Sequence, residues 1–176
     1  MQNNKTVIFF LLKFFGTYLL LFLLYSFYLS KNQKNLEYFA CAPITKTVAE
    51  QSQYLLNIIG YNAEIVQSNS EMSINLFVNN TLIARIIEGC NSVSIIILFI
   101  AFIVAFASGL KRTLLYILFG SLIIYLVNII RIAVIVVAIY KFPELEGVLH
   151  NIIFPSIIYG ITFLLWFFWV QKISKL

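Results

Sequence analysis

The sequence predicts an all-α integral membrane protein: a bundle of four transmembrane helices with a small extracytoplasmic α+β insertion between helices one and two. Of its 176 residues, 61% are hydrophobic and the mean hydropathy is +0.94, whereas a globular domain is roughly half apolar. Four apolar stretches, at 7–29, 92–108, 113–140 and 152–170, have about the 17 to 25 residues or more that a spanning helix needs. All seven acidic residues fall between the first two stretches or between the last two.

The first and third stretches need separate justification. We interpret 7–29 as a retained span, because it is too long for the apolar core of a signal peptide and no small-residue cleavage site follows it. The third stretch, 113–140, is longer than a bilayer requires. We therefore expect that helix to tilt or to protrude from the membrane.

Basic residues set the predicted orientation. Lys5 precedes the first stretch, Lys111 and Arg112 separate the second from the third, and Lys172 and Lys175 follow the fourth. An excess of Lys and Arg in short loops marks the cytoplasmic side. The chain is thus expected to be a multi-pass protein of the cytoplasmic (inner) membrane with both termini in the cytoplasm. The net charge of +5 is accounted for by this topology, and no nucleic-acid partner is expected.

Three regions follow from this topology: a first transmembrane helix (1–29), an extracytoplasmic cap (30–89) and a three-helix transmembrane catalytic core (90–176). In the cap, Thr47 followed by Glu50 predicts a capping box at the start of a short helix. Gly60 predicts the end of that helix.

The rest of the cap has a strand pattern. Residues 72–78 alternate between apolar and polar side chains, with Phe77 as the exception. The turn-like pair Asn79-Asn80 separates them from a second β-rich run at 81–87. This pattern predicts a β-hairpin whose second strand leads directly to Gly89 and Cys90.

Cys90 lies where the cap meets the second apolar stretch, and Asn91 and Ser92 after it can cap the helix that begins there. Amides and the positive end of a helix dipole favour the thiolate, which is the nucleophilic form. The alternatives are a small apolar residue at a helix end or a disulfide with Cys41, because both thiols face an oxidising side. Cys41 itself, with no charged neighbour in sequence, is expected to be structural.

Arg131 lies deep in the third stretch, about 13 Å from its Tyr140 end at 1.5 Å per residue. A charge at such a depth costs at least ~2.5 kcal/mol unless it has a partner or a water-filled cavity. We therefore expect a buried polar site rather than a side chain that snorkels to the interface. Asn128, three residues earlier on the same helix face, is expected to hydrogen-bond Arg131.

His150, the only histidine, precedes the fourth stretch. A helix N-terminus favours the neutral imidazole, which can act as a base; the alternative is an ordinary solvated loop residue. Together, Cys90, Arg131 and His150 supply a nucleophile, a cation and a proton-transfer group from three helices at one membrane face. One His and two separated Cys do not provide a typical ligand spacing, so neither a metal nor another cofactor is expected.

These residues resemble a known family. The segment Glu88-Gly89-Cys90-Asn91-Ser92, the run Asn128-Ile129-Ile130-Arg131 and His150 are, in this order, similar to motifs of the exosortase/archaeosortase membrane proteins. The short chain and its outer insertion resemble the short exosortase F branch of Bacteroidetes-type bacteria. The resemblance covers mainly 88–170, and the chain has fewer spans than many relatives.

The resemblance implies a cysteine protease or transpeptidase that cleaves and sorts secreted proteins. Its partners would be membrane-tethered substrate proteins with a C-terminal sorting tail, the lipid bilayer and an unidentified acceptor nucleophile. Cys90 would be the nucleophile, Arg131 the cation and His150 the acid and base, with Asn128 in support, on the extracytoplasmic side. The alternative is a non-enzymatic membrane subunit of an export or surface-assembly system, in which Arg131 and Asn128 join helices and Cys90 pairs with Cys41. A small transporter is disfavoured because no repeated half is evident.

Overall fold

The computed structural model describes residues 2–33, 41–69 and 71–173, and in this part the chain is mostly helical with one small sheet. Lys175, which was used above to orient the tail, lies outside the described residues. The helices are α1 (Gln2–Asn32), α2 (Pro43–Ile58), α3 (Val93–Ala105), α4 (Leu110–Lys141), α5 (Glu146–Val148) and α6 (Phe154–Phe168). Short 3₁₀ segments occupy Glu88–Asn91 and Pro143–Leu145, and π-helical turns occupy Leu149–Ile153 and Trp169–Ile173.

Within the described residues, three helical segments are long and apolar enough to cross a bilayer: Val7–Asn32, Leu110–Lys141 and Pro143–Lys172. The prediction of a multi-pass membrane protein is therefore confirmed. The predicted second span forms only the 13-residue helix α3, which is about 20 Å long at 1.5 Å per residue. Because that is shorter than the roughly 30 Å hydrocarbon core, the structure supports three full spans and one shorter apolar helix.

Helix α3 packs against α1, α4 and α6. Its closest approach to α4 is at Gly120, where an added Cβ would lie 2.3 Å from Cζ of the Phe99 ring. The buried side chains at this end of the bundle are Phe99, Ile103, Ile124, Ile158 and Trp169. Gly120 thus gives the Phe99 ring the room it needs, and this contact holds the short helix against the longest one.

The region after α2 forms an antiparallel sheet of three strands in the order β1 (Ala63–Gln67), β2 (Ser73–Val78) and β3 (Thr81–Ile87). Strands β2 and β3 are the predicted hairpin. Its turn residues Asn79 and Asn80 have φ angles of 49° and 66°, as a two-residue type I′ turn requires. Strand β1 was not predicted.

The predicted capping box at Thr47 and Glu50 is wrong, because α2 begins four residues earlier, at Pro43. The Thr47 hydroxyl donates instead to the backbone oxygen of Pro43, 3.1 Å away, inside the helix. Proline suits the first helical position because it lacks the N–H that would have no partner there. The polar groups at this helix start are satisfied by Glu88, which is distant in sequence.

The cap formed by α2 and the sheet rests directly on α4. One buried cluster combines Val48, Leu56, Leu76 and Val78 of the cap with Ile132, Ala133 and Val136 of α4. At the rim, the Tyr125 hydroxyl donates to Oε1 of Gln51 at 2.7 Å, and the Asn79 amide donates to the Tyr140 hydroxyl at 2.9 Å. The helix that carries Arg131 is therefore covered by the cap along its second half.

Candidate active site

Cys90 is held in a 3₁₀ turn, Glu88–Asn91, between the end of β3 and the start of α3. The turn ends at Ser92, which has a left-handed backbone with φ of 62°. The Ser92 hydroxyl donates to the Asn91 backbone oxygen at 2.6 Å and does not cap α3. Asn91 does act at the helix start, because its Oδ1 accepts from the Val93 N–H at 3.0 Å.

The Glu88 carboxylate ties this turn to α2. Its Oε1 accepts from the Ala42 N–H at 2.5 Å and from the Gln33 side chain at 3.2 Å, and its Oε2 accepts from the Thr45 hydroxyl at 2.5 Å. Hydrogen bonds to a charged group are stronger than neutral ones. Glu88, two residues before Cys90, therefore holds the turn against the start of α2. One sequence signal could have indicated this role, namely an acidic residue at the edge of an apolar stretch, but no role was predicted from it.

Asn91 fixes the other side of the turn and is 1% exposed. Its Nδ2 donates to the hydroxyl of Tyr25 on α1 at 2.7 Å and to Oγ1 of Thr45 at 3.0 Å. Because buried polar groups that are fully bonded hold a single arrangement, α1, α2 and α3 meet at one rigid point. Tyr25 and Thr45 were not identified from the sequence.

Asn128 binds the turn rather than the arginine. Its Nδ2 donates to the backbone oxygen of Cys90 at 2.7 Å, and Asn128 itself is 1% exposed. The predicted hydrogen bond between Asn128 and Arg131 is not formed among the described residues, and the supporting role of Asn128 stays a prediction. The short side chain reaches across to the cap, where the Cys90 carbonyl, exposed by the tight turn, needs a donor.

Arg131 lies one helical turn further along α4 and is only partly exposed. Its Nε is buried and has no hydrogen-bond partner within the described residues. Cys90 and Tyr159 are near enough to interact electrostatically with its guanidinium. A buried donor without a partner costs free energy, so Arg131 is a cation available to an incoming group.

Cys90 and Arg131 line the same cavity, of about 1010 Å³, between β3 and the second half of α4. Most of the remaining wall is apolar, and it includes Ile83, Ile132, Ile135 and Ile139. Arg131 can lie deep within an apolar helix because its side chain borders this cavity under the cap. Cys90 and Arg131 thus share one cavity, and their catalytic roles stay predictions.

Cys41 has a different environment. It is 8% exposed, and burial together with the nearby Glu88 carboxylate raises the pKa of its thiol to about 11. Cys41 and Cys90 are both free thiols, although they are near enough to interact electrostatically. The structure therefore contains no Cys41–Cys90 disulfide, and Cys41 is a buried part of the cap core.

The side chain of His150 lies outside the described part of the structure, and its acid–base role stays a prediction. Its backbone belongs to the π-helical turn Leu149–Ile153. Glu146 and Pro155, on either side of that turn, both line the cavity. Among the described residues, no three His, Cys, Asp or Glu side chains come together as a metal site would require.

One of three comparisons with known proteins found a match. A family model described as transmembrane exosortase matches residues 6–168. Searches of the curated proteins and of the solved structures found no significant match. The match extends from the first span to the last helix and includes the cap, the Cys90 turn and α4.

Proposed function

We propose that this chain, which belongs to the transmembrane exosortase family, uses Cys90 to cleave secreted proteins that carry a C-terminal sorting tail. Exosortases are membrane-embedded cysteine-type transpeptidases. The client would be held in the bilayer by its own apolar tail. Its scissile peptide bond would enter the cavity between β3 and α4 from the extracytoplasmic side.

The observation that carries this proposal is the shared cavity of Cys90 and Arg131. Nucleophilic catalysis requires the attacking sulfur to reach the carbonyl carbon of the substrate and a second group to stabilise the negative charge on the oxygen of the same carbonyl. Arg131 meets the second requirement, because its buried Nε has no other partner among the described residues. The Asn128 bond to the Cys90 carbonyl fixes the turn from which the sulfur projects.

The chemistry follows from these positions. The Cys90 thiolate attacks the scissile carbonyl carbon, and Arg131 stabilises the negative oxygen that forms. Collapse of this intermediate breaks the C–N bond, and His150 donates a proton to the departing amine of the tail. The client is then attached to Cys90 as a thioester. Water or an amine acceptor, deprotonated by His150, displaces the sulfur and regenerates the thiolate.

Membrane attachment supplies the proximity that a shallow site needs. Client and enzyme diffuse in one plane, and the tail lies beside the bundle, so the scissile bond is already at the right depth. Positioning of this kind can supply a large part of a rate enhancement.

The test compares three variants in cells. Cys90→Ala and Cys90→Ser should abolish removal of C-terminal tails from membrane-tethered proteins, as measured by mass spectrometry of their C-terminal peptides. Cys41→Ala is the matched control, because this buried thiol is outside the cavity wall, and processing should continue. Equal membrane insertion of all variants is checked by immunoblotting. Unchanged processing in both Cys90 variants would favour the alternative, a non-enzymatic subunit of an export or surface-assembly system.

A further inference from the structure

Strand β3 is the edge strand of the sheet. In the order β1-β2-β3, it pairs with β2 and with no other strand among the described residues. In an antiparallel pair, backbone N–H and C=O groups point alternately toward the partner and away from it. The outer side of β3 therefore presents backbone donors and acceptors that another strand can pair with. The row is interrupted once, at Ile83, which has no partner on β2 because the register shifts between Leu76 and Phe77.

The catalytic cavity runs along this free edge. Every residue of β3, from Thr81 to Ile87, lines it. Because successive side chains of a strand point to opposite faces, a cavity that contacts all of them must follow the edge rather than one face. The strand has seven residues, so the groove is about 23 Å long at about 3.3 Å per residue.

Two contacts fix the ends of the groove. Asn79, in the turn before β3, donates to the hydroxyl of Tyr140, and Asn128 donates to the carbonyl of Cys90, just after β3. Tyr140 and Asn128 are about 18 Å apart along α4 at 1.5 Å per residue. Strand and helix thus run in opposite directions as the two walls, and the groove leads to Cys90 and Arg131.

The backbone between β3 and Cys90 is accessible from the cavity at Gly89. This residue lines the cavity, and a Cβ built on it would have nothing within 4 Å. A peptide backbone can therefore come close to the chain immediately before the sulfur. The volume of about 1010 Å³ is at the top of the range of about 300–1,000 Å³ that is usual for small-molecule pockets, so several peptide residues fit.

We propose that β3 binds the client segment that precedes the scissile bond as an added strand of the cap sheet; this inference rests on the proposed function. Backbone hydrogen bonds to the edge would hold the segment extended, and its side chains would pack against β3 and the apolar face of α4. A lipid chain could fill the same apolar wall. It would, however, leave the edge N–H and C=O groups without partners at the depth of the membrane boundary, and those groups must be satisfied.

A peptide that is bound as an added strand is held mainly by main-chain hydrogen bonds, and pockets for its side chains add specificity. The wall offers isoleucines on both sides, among them Ile83 and Ile135, and the half-buried cation Arg131. Two exposed charged residues, Arg85 and Glu146, also line it. Clients should therefore share an extended and mainly apolar segment before the cleavage site.

The experiment uses the full-length protein in lipid nanodiscs. Its probes are synthetic peptides that cover the cleavage junction of a protein whose tail is retained in Cys90→Ala cells. Each peptide carries one backbone N-methyl group at a successive position. We expect kcat/KM to fall by about tenfold or more at alternate positions before the scissile bond, since alternate N–H groups bond the edge. The alternation should shift by one position opposite Ile83, where the register of β3 changes. Methylation more than seven residues upstream should have no effect.

The Gly89→Ala variant tests the contribution of the protein backbone. Its added methyl group should raise KM for the unmodified peptide several-fold, because it hinders the approach of the peptide backbone. Gly147→Ala is its control, because a Cβ there also meets nothing within 4 Å and Gly147 is outside the cavity wall. Loss without alternation, or no loss, while a Cys90 thioester still forms would overturn strand addition and leave the proposed function standing. Strand addition would also be overturned, with the proposed function left standing, if native mass spectrometry showed a co-purified lipid that the peptide does not displace. Absence of any thioester would overturn both proposals.

Discussion

The side-chain amide of Asn128 donates a hydrogen bond to the backbone oxygen of Cys90, with Nδ2 and O 2.7 Å apart. Asn128 belongs to α4, three residues before Arg131, and Cys90 belongs to the turn that ends the cap. This bond connects the two walls of the cavity at the position of the sulfur. The spacing between nucleophile and cation therefore depends on a residue that takes no direct part in the chemistry.

Asn128→Leu removes this donor at similar side-chain volume. We expect kcat to fall by about 10- to 100-fold, since small misplacements of a nucleophile are costly, while KM changes little. Initial rates with a junction peptide measure both constants. Tyr125→Phe is the control, because it removes one hydrogen bond between α4 and the cap away from Cys90. An equal loss of kcat in both variants would contradict a specific positioning role.

Glu88→Gln should destabilise the protein, because Glu88 accepts hydrogen bonds from Ala42, Thr45 and Gln33. Hydrogen bonds to a charged group contribute about 1.5–3 kcal/mol each, so we expect a loss of about 2 kcal/mol. Thermal unfolding in detergent measures the change. Glu71→Gln removes an exposed ion pair with Arg85 and should change stability by less than about 1 kcal/mol. Equal shifts in the two variants would contradict the role of Glu88.

Arg131→Lys keeps the charge but removes the planar donor group. We expect kcat/KM to fall by about 10²-fold, the usual scale for removal of an oxyanion donor. Arg112→Lys, at the start of the same helix, should retain full activity. Wild-type activity in Arg131→Lys would remove Arg131 from the catalytic site.

The two thiols should differ in how fast they are alkylated, because Cys41 is buried and Cys90 is only half-buried. Because burial and Glu88 raise the pKa of Cys41 to about 11, about one thousandth of this thiol is ionised at pH 8, and only the thiolate reacts. In Cys90→Ala, iodoacetamide labelling of Cys41 should be slow and should rise about tenfold per pH unit up to about pH 11. In Cys41→Ala, labelling of the half-buried Cys90 at pH 8 should be much faster. Labelling of both thiols in the wild type only after reduction would indicate a disulfide instead.

Much of the fold was predictable because long apolar runs and paired turn residues act locally. Three of the four predicted spans and the β2–β3 hairpin follow from residues that are near each other in sequence. The start of α2 could not be predicted in this way, because the Ala42 N–H and the Thr45 hydroxyl are bonded by Glu88, more than forty residues away. Strand β1 was missed for a related reason: it is short, and only pairing with β2 makes it a strand.

The residues of the candidate site also differ in whether they could be predicted from the sequence. Cys90 and Arg131 stand out in the sequence because a thiol at a helix start and a charge within an apolar stretch are both rare. The direction of the Asn128 amide could not be read from its spacing to Arg131, since its Nδ2 donates to the Cys90 carbonyl, which is distant in sequence. Tyr159, which interacts with Arg131, has no sequence signal among the aromatic residues of its helix.

The central claim is that Cys90 becomes covalently attached to a client during cleavage. The most direct measurement is intact-protein mass spectrometry of the wild-type chain, acid-quenched during turnover of a junction peptide. The account predicts an adduct with the mass of the N-terminal cleavage fragment, mapped to Cys90, released by neutral hydroxylamine and absent from Cys90→Ala. Turnover that proceeds without an adduct, or an adduct of equal yield in Cys90→Ala, would contradict the account.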